Sequence, residues 1–353
     1  MNAHRHVWLF VLGIVASLAL IVLGIFVGST GFESLMPALI NSEIDADDAL
    51  MAQKILWEIR LPRTMGAWAA GVLLGVSGAL AQGLFRNPLA DPYLLGSASG
   101  ASLGVALALA VFGGGISLVN DGLAVGVFSS NIWVRLGLTG AAFMGAVFAV
   151  LLTLLLSGGV ANTLRLLLCG VVVGVVLGAC TNLLMLMSPD SLQAMQSFML
   201  GSTAFVGWNA LAVMLMVCCI CCLAAWFFSR VLDGLSLGEA TAFTLGLPIA
   251  PTRAALIGVL ALATGTAVSQ TGLIAFVGLV SPHLVRAWVK TTHAYLVLLS
   301  SLVGGVLLLS ADILARCLIA PQELPVGVLT AVLGGGYLLW LISRRSVRSG
   351  EST

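Results

Sequence analysis

Gly234-Leu-Ser-Leu-Gly-Glu-Ala-Thr-Ala-Phe-Thr-Leu-Gly-Leu-Pro248 is a short amphipathic stretch between two long apolar runs, residues 208–229 and 252–269. Ser236 and Glu239 have the S-x-x-E spacing of a capping box, in which each side chain bonds an amide left free at a helix start. The glycine and proline that close the stretch are typical of a helix end. We therefore predict an isolated helix of about nine residues, which is too short to be stable alone in water and needs a partner outside a membrane.

The composition indicates that the rest of the chain lies in a membrane. Of the 353 residues, 60% are hydrophobic and 8% are charged, and the mean hydropathy is +1.12. A soluble domain carries about 25% charged residues, so a water-soluble fold is excluded. The net charge of +1 gives no reason to expect nucleic acid as a partner, and the lipid bilayer is the expected surrounding.

Ten apolar runs predict ten membrane-spanning helices. The first run, residues 7–28, has 22 residues, enough to cross the roughly 30 Å hydrocarbon layer, and it is longer than a signal-peptide core. We expect an all-α polytopic membrane protein that forms a single domain over residues 1–353. The nine other spans are predicted at residues 64–84, 94–112, 134–156, 166–187, 208–229, 252–269, 273–289, 294–314 and 326–342.

An even number of spans places both termini on one side of the membrane, and the basic residues indicate which side. With the N-terminus in the cytosol, ten basic residues fall inside and five outside, in agreement with the positive-inside rule. The acidic segment at residues 43–48 then faces outward, and the helix near residues 236–246 faces the cytosol. The inner set is Arg5, Arg86, Arg165, Arg230, Arg253, Arg286, Lys290, Arg344, Arg345 and Arg348, and the outer set is Lys54, Arg60, Arg63, Arg135 and Arg316.

Glycines recur at four-residue intervals in three of the predicted spans. Each such strip lets a neighbouring backbone approach closely. Tight packing within one subunit explains the strips, and a seam between two copies or a surface that slides is the alternative. The strips are Gly71 and Gly75; Gly96, Gly100 and Gly104; and Gly170, Gly174 and Gly178.

The chain shows no catalytic constellation. It lacks a G-x-x-x-x-G-K-[ST] phosphate loop, so it cannot supply a nucleotide site by that route. The cysteine cluster at residues 218–222 lies in apolar sequence without a nearby histidine or carboxylate, so we interpret it as packing. We predict a conduit rather than an enzyme, with no catalytic residue, metal or cofactor of its own. The four histidines, His4, His6, His283 and His293, have no partner at metal-ligand spacing.

Three arginines lie at the predicted outer ends of spans, against the positive-inside trend. Arg60 and Arg63 are three residues apart and so share a helical face, while Arg316 ends the ninth span. Snorkelling of the long side chains to the interface explains them without a function. The functional alternative is a docking patch for acidic residues of an extracytoplasmic partner.

A methionine-rich segment follows the fifth span. Residues 191–201 are compatible with an outer amphipathic helix near the mouth of a pathway, with Met195, Phe198 and Met199 on it. A surface of this kind adapts to a bulky, partly apolar cargo. Ordinary packing explains these residues equally well.

Several long motifs resemble one known family. They are Leu56-Trp-Glu-Ile-Arg-Leu-Pro-Arg-Thr64, Gln82-Gly-Leu-Phe-Arg-Asn-Pro-Leu-Ala-Asp-Pro-Tyr-Leu-Leu-Gly96, Phe276-Val-Gly-Leu-Val-Ser-Pro-His283 and Glu323-Leu-Pro-Val-Gly-Val-Leu-Thr-Ala331. Together they resemble the signature of the iron-siderophore, haem and cobalamin permeases of type II ABC importers. The likeness covers nearly the whole chain after the first span.

The resemblance implies a permease fold and a set of partners. These are a second permease copy, for which we favour a homodimer, two ATP-binding subunits that hold ATP and Mg, and a periplasmic binding protein, all at the bacterial inner membrane. By position, Arg60, Arg63 and Arg316 match arginines that meet the binding protein. The segment of Met195, Phe198 and Met199 matches an element around the pathway. The helix that couples to the ATPase in the family is matched here by Ser236, Leu237, Glu239, Ala240, Phe243, Thr244 and Gly246.

From these points we predict an importer of a ferric chelate, either an iron-siderophore or haem. Cobalamin is the second candidate cargo, followed by molybdate-type oxyanions. An ion-coupled secondary transporter is an alternative of another class, but it predicts ionisable residues near mid-membrane, and the spans contain almost none. A receptor or structural membrane protein would not need the cytosolic helix.

Overall fold

A computed structural model describes residues 3–28, 46–113 and 132–350, and its regular structure is helical throughout these ranges. The predicted acidic outer segment starts in residues outside the described ranges. The helices are α1 Ala3–Phe26, α2 Ala46–Lys54, α3 Leu61–Leu84, α4 Ser97–Gly113, α5 Ile132–Ser157, α6 Thr163–Met187, α7 Leu192–Leu200, α8 Trp208–Phe227, α9 Ser229–Ser236, α10 Glu239–Thr244, α11 Ile249–Thr271, α12 Val277–Trp288, α13 His293–Cys317 and α14 Val326–Gly350. A π-helical turn, Ile55–Arg60, joins α2 to α3.

Each of the ten predicted spans coincides with a helix, and the all-α prediction is confirmed. Within the described ranges, seven helical segments are long and apolar enough to cross a membrane, and α4 and α14 contain shorter apolar stretches. The predicted span at residues 273–289 is wrong in its length. Its helix, α12, has 12 residues and is about 18 Å long at 1.5 Å per residue, too short for a roughly 30 Å layer.

The short α12 has a local cause in the segment that precedes it. Gly272 and Phe276 both have positive φ angles, of 69° and 67°, which a right-handed helix cannot contain. The amide of Leu273 donates to the carbonyl of Phe198 instead of to a helical partner. Residues 272–276 therefore form an irregular connection, and α12 starts only at Val277.

Helix α3 is the centre of the fold and is buried along almost its whole length. It packs against α13 through small residues. A Cβ atom on Gly71 would lie 2.3 Å from the carbonyl oxygen of Gly304, and one on Gly75 would lie 2.2 Å from that of Ser300. The two backbones are in contact here, so this first glycine strip serves packing within the subunit.

The other two strips differ from each other. Gly100 and Gly104 on α4 meet the backbone of α5 at the same close range. On α6, Gly170 lies against the carbonyl of Leu94, whereas no described atom comes within 4 Å of a Cβ placed on Gly178. The third strip is therefore packed at one end and open at the other. Helix α6 also exposes a row of apolar side chains: Leu168, Val171, Val172, Val175, Val176, Leu183 and Leu186.

The cysteine cluster packs inside the helices as a set of small side chains. The thiol of Cys218 contacts the carbonyl of Ala69 at 3.4 Å, and that of Cys221 contacts the carbonyl of Val259 at 3.8 Å. Within the described residues, no group of three or more His, Cys, Asp or Glu side chains is placed to hold a metal ion.

Candidate functional site

The polar stretch between α8 and α11 forms two short helices, α9 and α10, which we call the α9–α10 segment. The predicted capping box is wrong. Ser236 is the last residue of α9, and its hydroxyl donates back to the carbonyl of Asp233. Gly238, at a φ of 109°, makes the turn before α10, and the start of α10 has no side-chain cap. The predicted helix of about nine residues is therefore a helix of six, preceded by one that the prediction missed.

Helix α9 could have been found from the spacing of its apolar residues. Val231, Leu232 and Leu235 recur at one- and three-residue steps, and all three are buried, as expected for one helical face. The end of α10 follows the prediction. Gly246 has a φ of 72° and donates to Phe243, and the next amide donates to Ala242, which is the Schellman arrangement of a helix C-terminus.

The α9–α10 segment presents an exposed apolar face. Leu237 is 66% exposed, Phe243 78% and Leu245 61%. Ala240 and Thr244, which are also among the residues matched to the coupling helix, are exposed beside them. Leu245 belongs to the same face and was not predicted. These side chains lie outside the apolar spans, where exposed apolar area indicates a protein partner.

Glu239 connects this face directly to two other parts of the chain, and through Arg253 to a third. Its carboxylate lies 2.5 Å from the guanidinium of Arg253 on α11 and 3.4 Å from that of Arg86 in the turn after α3. Arg253 also donates to the carbonyl of Ala161, at 3.2 Å. The hydrogen bond from Arg253 holds the pKa of the Glu239 carboxyl below its usual value, and the positive charges of Arg253 and Arg86 act in the same direction.

A second connection runs from α9 to α13. The Nδ1 atom of His293 lies 2.7 Å from Oδ1 of Asp233, and the backbone amide of His293 donates to the same oxygen at 2.9 Å. His293 is the first residue of α13, so the carboxylate also satisfies an amide at a helix start. This partner of His293 was not predicted from the sequence.

At the opposite end of α13 lies an arginine cluster, formed by Arg60, Arg63, Arg316, Asp312 and Glu323. Asp312 and Arg316, one helical turn apart, form an ion pair. Arg63 lies 3.3 Å from Asp312 and 2.8 Å from Glu323. The hydroxyl of Thr203 also donates to Asp312.

The two remaining arginines bond the end of α1. Arg316 donates to the carbonyl of Gly24 at 2.9 Å, and Arg60 donates to that of Phe26 at 3.0 Å. These carbonyls lie in the last turn of α1, where helical partners are missing. Cations are also favoured there by the helix dipole.

The three arginines predicted as a docking patch are largely buried in this conformation, and their docking role stays a prediction. Arg60, Arg63 and Arg316 are 7%, 9% and 1% exposed, and all three make internal hydrogen bonds. The physical reason is Asp312, which is fully buried and neutralises charge that would otherwise have to face water. Sequence could have found it, since Asp312 is the only charged residue in the run 294–314 and stands four residues before Arg316.

Helix α7 is the short helix expected at residues 191–201, and one of its sides is buried. Met195 and Phe198 are buried against α4, α5 and α11, through residues such as Val105 and Val268. Met199 is 49% exposed. The structure thus separates the three predicted residues into two that anchor the helix and one that is accessible.

The comparisons with known proteins decide the family. The profile described as the FecCD transport family matches residues 14–344, most of the chain. The chain belongs to the FecCD transport family. Its place in that family agrees with the motifs quoted above, which also resembled this class of permease.

Individual FecCD relatives match over most of their length. The hemin transport system permease protein HmuU of Yersinia pestis is 39% identical over 301 residues, which cover 84% of this chain and 85% of the relative. The vitamin B12 import system permease protein BtuC of Pectobacterium atrosepticum is 36% identical over 301 residues, 84% of each chain. A solved inward-facing structure assigned to a metal-chelate type ABC transporter has a TM-score of 0.79 and 27% identity, covering 95% of this chain and 98% of the other.

This FecCD chain is therefore a multi-pass membrane permease subunit of a type II ABC importer. It is not itself the ATPase, since ATP hydrolysis resides on a separate subunit of such a transporter.

Proposed function

We propose that this permease carries haem or another ferric chelate from the periplasm to the cytoplasm. The observation that carries this proposal is the 39% identity to a hemin permease over 84% of the chain. Cobalamin is a second candidate cargo, because B12 permeases are 35–38% identical over similar lengths. Because these identities differ by only a few per cent, the two cargoes are distinguished by experiment.

The α9–α10 segment is proposed as the contact for the ATP-binding subunit. Its exposed Leu237, Phe243 and Leu245 provide apolar anchors of the kind that dominate binding energy at interfaces. Glu239 and Asp233 connect the segment to α11 and α13. A displacement of the segment by the ATPase would therefore reach the spans.

The proposed ATPase contact sets the orientation of the chain in the membrane, and the surface of α6 indicates how two copies assemble. The end of the bundle that carries the α9–α10 segment faces the cytosol, as do both termini, and the arginine cluster faces the periplasm, where a binding protein docks. We propose a homodimer, because α6 exposes a continuous apolar row beside the open Gly178, a surface suited to close helix contact. Within the described residues, the cargo pathway would lie near this surface and Met199.

The test of cargo is stimulation of ATP hydrolysis in the complete transporter. The permease, its ATPase and the binding protein of the same system are reconstituted in nanodiscs, and hydrolysis is measured with haem, a ferric siderophore or cobalamin. Stimulation by haem or the ferric siderophore but not by cobalamin supports the proposal. Stimulation by cobalamin alone would replace the ferric chelate with the second candidate.

A further inference from the structure

We propose that Glu323 is an internal stand-in for a carboxylate of the binding protein, and that docking displaces it from Arg63. The proposal rests on the docking assigned above to the arginine cluster. It adds that Glu323 competes with the binding protein for Arg63, and that release of Glu323 transmits docking to the neighbouring helices.

The first observation is the geometry of the pair. Arg63 donates through both terminal nitrogens to Glu323, with Nη1 3.0 Å from Oε1 and Nη2 2.8 Å from Oε2. This is the two-point arrangement with which arginine recognises any carboxylate. A carboxylate from another protein would bind Arg63 in the same way, so it and Glu323 exclude each other.

The second observation is the different burial of the two acids that Arg63 contacts. The side chain of Asp312 is 1% exposed and also holds Arg316. The side chain of Glu323 is 28% exposed and lies in the connection between α13 and α14, which also contains the exposed Leu318 and Ile319. Glu323 is thus the exchangeable partner of Arg63, and Asp312 is the permanent one.

The third observation is a donor that Arg63 does not use. Within the part of the chain that the structure describes, the buried Nε atom of Arg63 has no hydrogen-bond partner. Neither Asp312 nor Glu323 satisfies it, so the present pairing leaves Arg63 incompletely bonded.

Release of Glu323 would displace the neighbouring helix ends. Four residues after Glu323, the amide of Gly327 on α14 donates to the carbonyl of Gly201, which ends α7. A Cβ atom on Gly327 would lie 2.3 Å from the carbonyl oxygen of Leu200. Because this contact is backbone to backbone, a shift of the connection moves the start of α14 and the end of α7 together.

The test measures affinity for the binding protein of the same system, using the permease–ATPase complex in nanodiscs. Three variants are compared: Glu323→Gln, Arg63→Gln and, as a matched control, Glu58→Gln. Glu58 is exposed, two residues before Arg60, so its substitution removes the same charge at the same end without a contact to Arg63. The unfolding temperature of each complex reports on folding.

The expected result is opposite changes in affinity. Glu323→Gln binds about tenfold more tightly, mainly through slower dissociation. Arg63→Gln binds more weakly, and Glu58→Gln is unchanged. The gain in Glu323→Gln persists at about 1 M salt, where the Debye length is about 3 Å and long-range attraction is screened.

Three other results overturn the proposal, and they are distinct. If Arg63→Gln binds more weakly and Glu323→Gln shows no gain, Glu323 does not compete for Arg63, but docking at Arg63 still stands. If the affinity changes in neither variant, docking at Arg63 is wrong as well. Equal gains in Glu323→Gln and Glu58→Gln that vanish at high salt indicate only a general charge effect, and the stand-in is wrong.

Discussion

Asp233 and His293 join two helices that lie 60 residues apart in sequence through a single carboxylate oxygen, which faces both the ring and the amide of the histidine. The contact connects the α9–α10 segment to the first residue of α13. The other end of α13 carries Asp312 and Arg316. One helix of 25 residues thus runs from the proposed ATPase contact to the proposed docking end.

Asp233→Ala is therefore expected to weaken communication between the two ends. The ATPase should still bind, because the exposed apolar face is unchanged. Stimulation of hydrolysis by the binding protein should fall about five- to tenfold, within the range of coupling energies between sites. The measurement compares basal and stimulated hydrolysis in nanodiscs.

Asp233→Asn serves as the graded control for that prediction. It keeps an oxygen that can accept from the His293 amide but removes the charge, so its effect should be smaller. If Asp233→Ala leaves the ratio of stimulated to basal hydrolysis unchanged, the contact does not transmit the signal.

Asp312→Asn should destabilise the permease severely. It removes the charge that neutralises buried Arg63 and Arg316, and breaking one partner of a buried ion pair costs about 3–5 kcal/mol. The unfolding temperature in detergent reports the loss. Glu323→Gln is the control, since Glu323 is partly exposed and its substitution should shift the temperature little. Equal losses of unfolding temperature in the two variants would contradict the view that Asp312 is the permanent partner of Arg63 and Glu323 the exchangeable one.

Phe243→Asp should reduce affinity for the ATPase at least about tenfold, since it places a charge in an apolar anchor position. Co-purification and a titration of the ATPase measure the effect. Leu155→Ala on α5 is a control matched in exposure, 77% against 78% for Phe243, and it lies outside both the segment and the α6 row. Undiminished affinity in Phe243→Asp would mean that α10 is not the contact.

The pH dependence of Glu239 has a definite sign. Its folded-state pKa is lowered from 4.5 by Arg253, so the ionised form stabilises the fold above about pH 4.5 and that contribution is lost as pH falls through the lower folded value. The side chain is 43% exposed, so we expect less than about 1 kcal/mol. The unfolding temperatures of the native chain and Glu239→Gln should differ at neutral pH and converge in acid. If the difference between the two unfolding temperatures instead widens in acid, the sign assigned to the Glu239 contribution is wrong.

Gly71→Ala should destabilise the bundle by about 1–3 kcal/mol, the usual cost of overpacking, because the new Cβ would meet the Gly304 carbonyl. Gly140→Ala on α5, outside the proposed dimer surface, is the matched control. No described atom is near its Cβ, so helix propensity alone should make it neutral or stabilising by up to about 1 kcal/mol. Thermal unfolding distinguishes the two, and equal stability would contradict the close α3–α13 contact.

Local patterns in the sequence determined the membrane class, the positions of the long apolar helices and the presence of an amphipathic stretch between α8 and α11. Apolar runs such as residues 7–28 must be helical in lipid, where each backbone amide needs a partner within its own segment. The motifs around Arg60 and Pro282 also identified the family, which the match over residues 14–344 shows. These properties depend on neighbours in sequence.

Only the tertiary structure decided which polar groups meet. Glu239 lies near Ser236 in sequence, yet it bonds Arg253 and Arg86, because α9 continues to Ser236 and Gly238 turns the chain. Likewise Arg63 is buried because Asp312, some 250 residues later in the chain, reaches it across the α3–α13 contact. Ion pairs depend on distances in space, and those distances exist only once the small residues of α3 have let α13 approach.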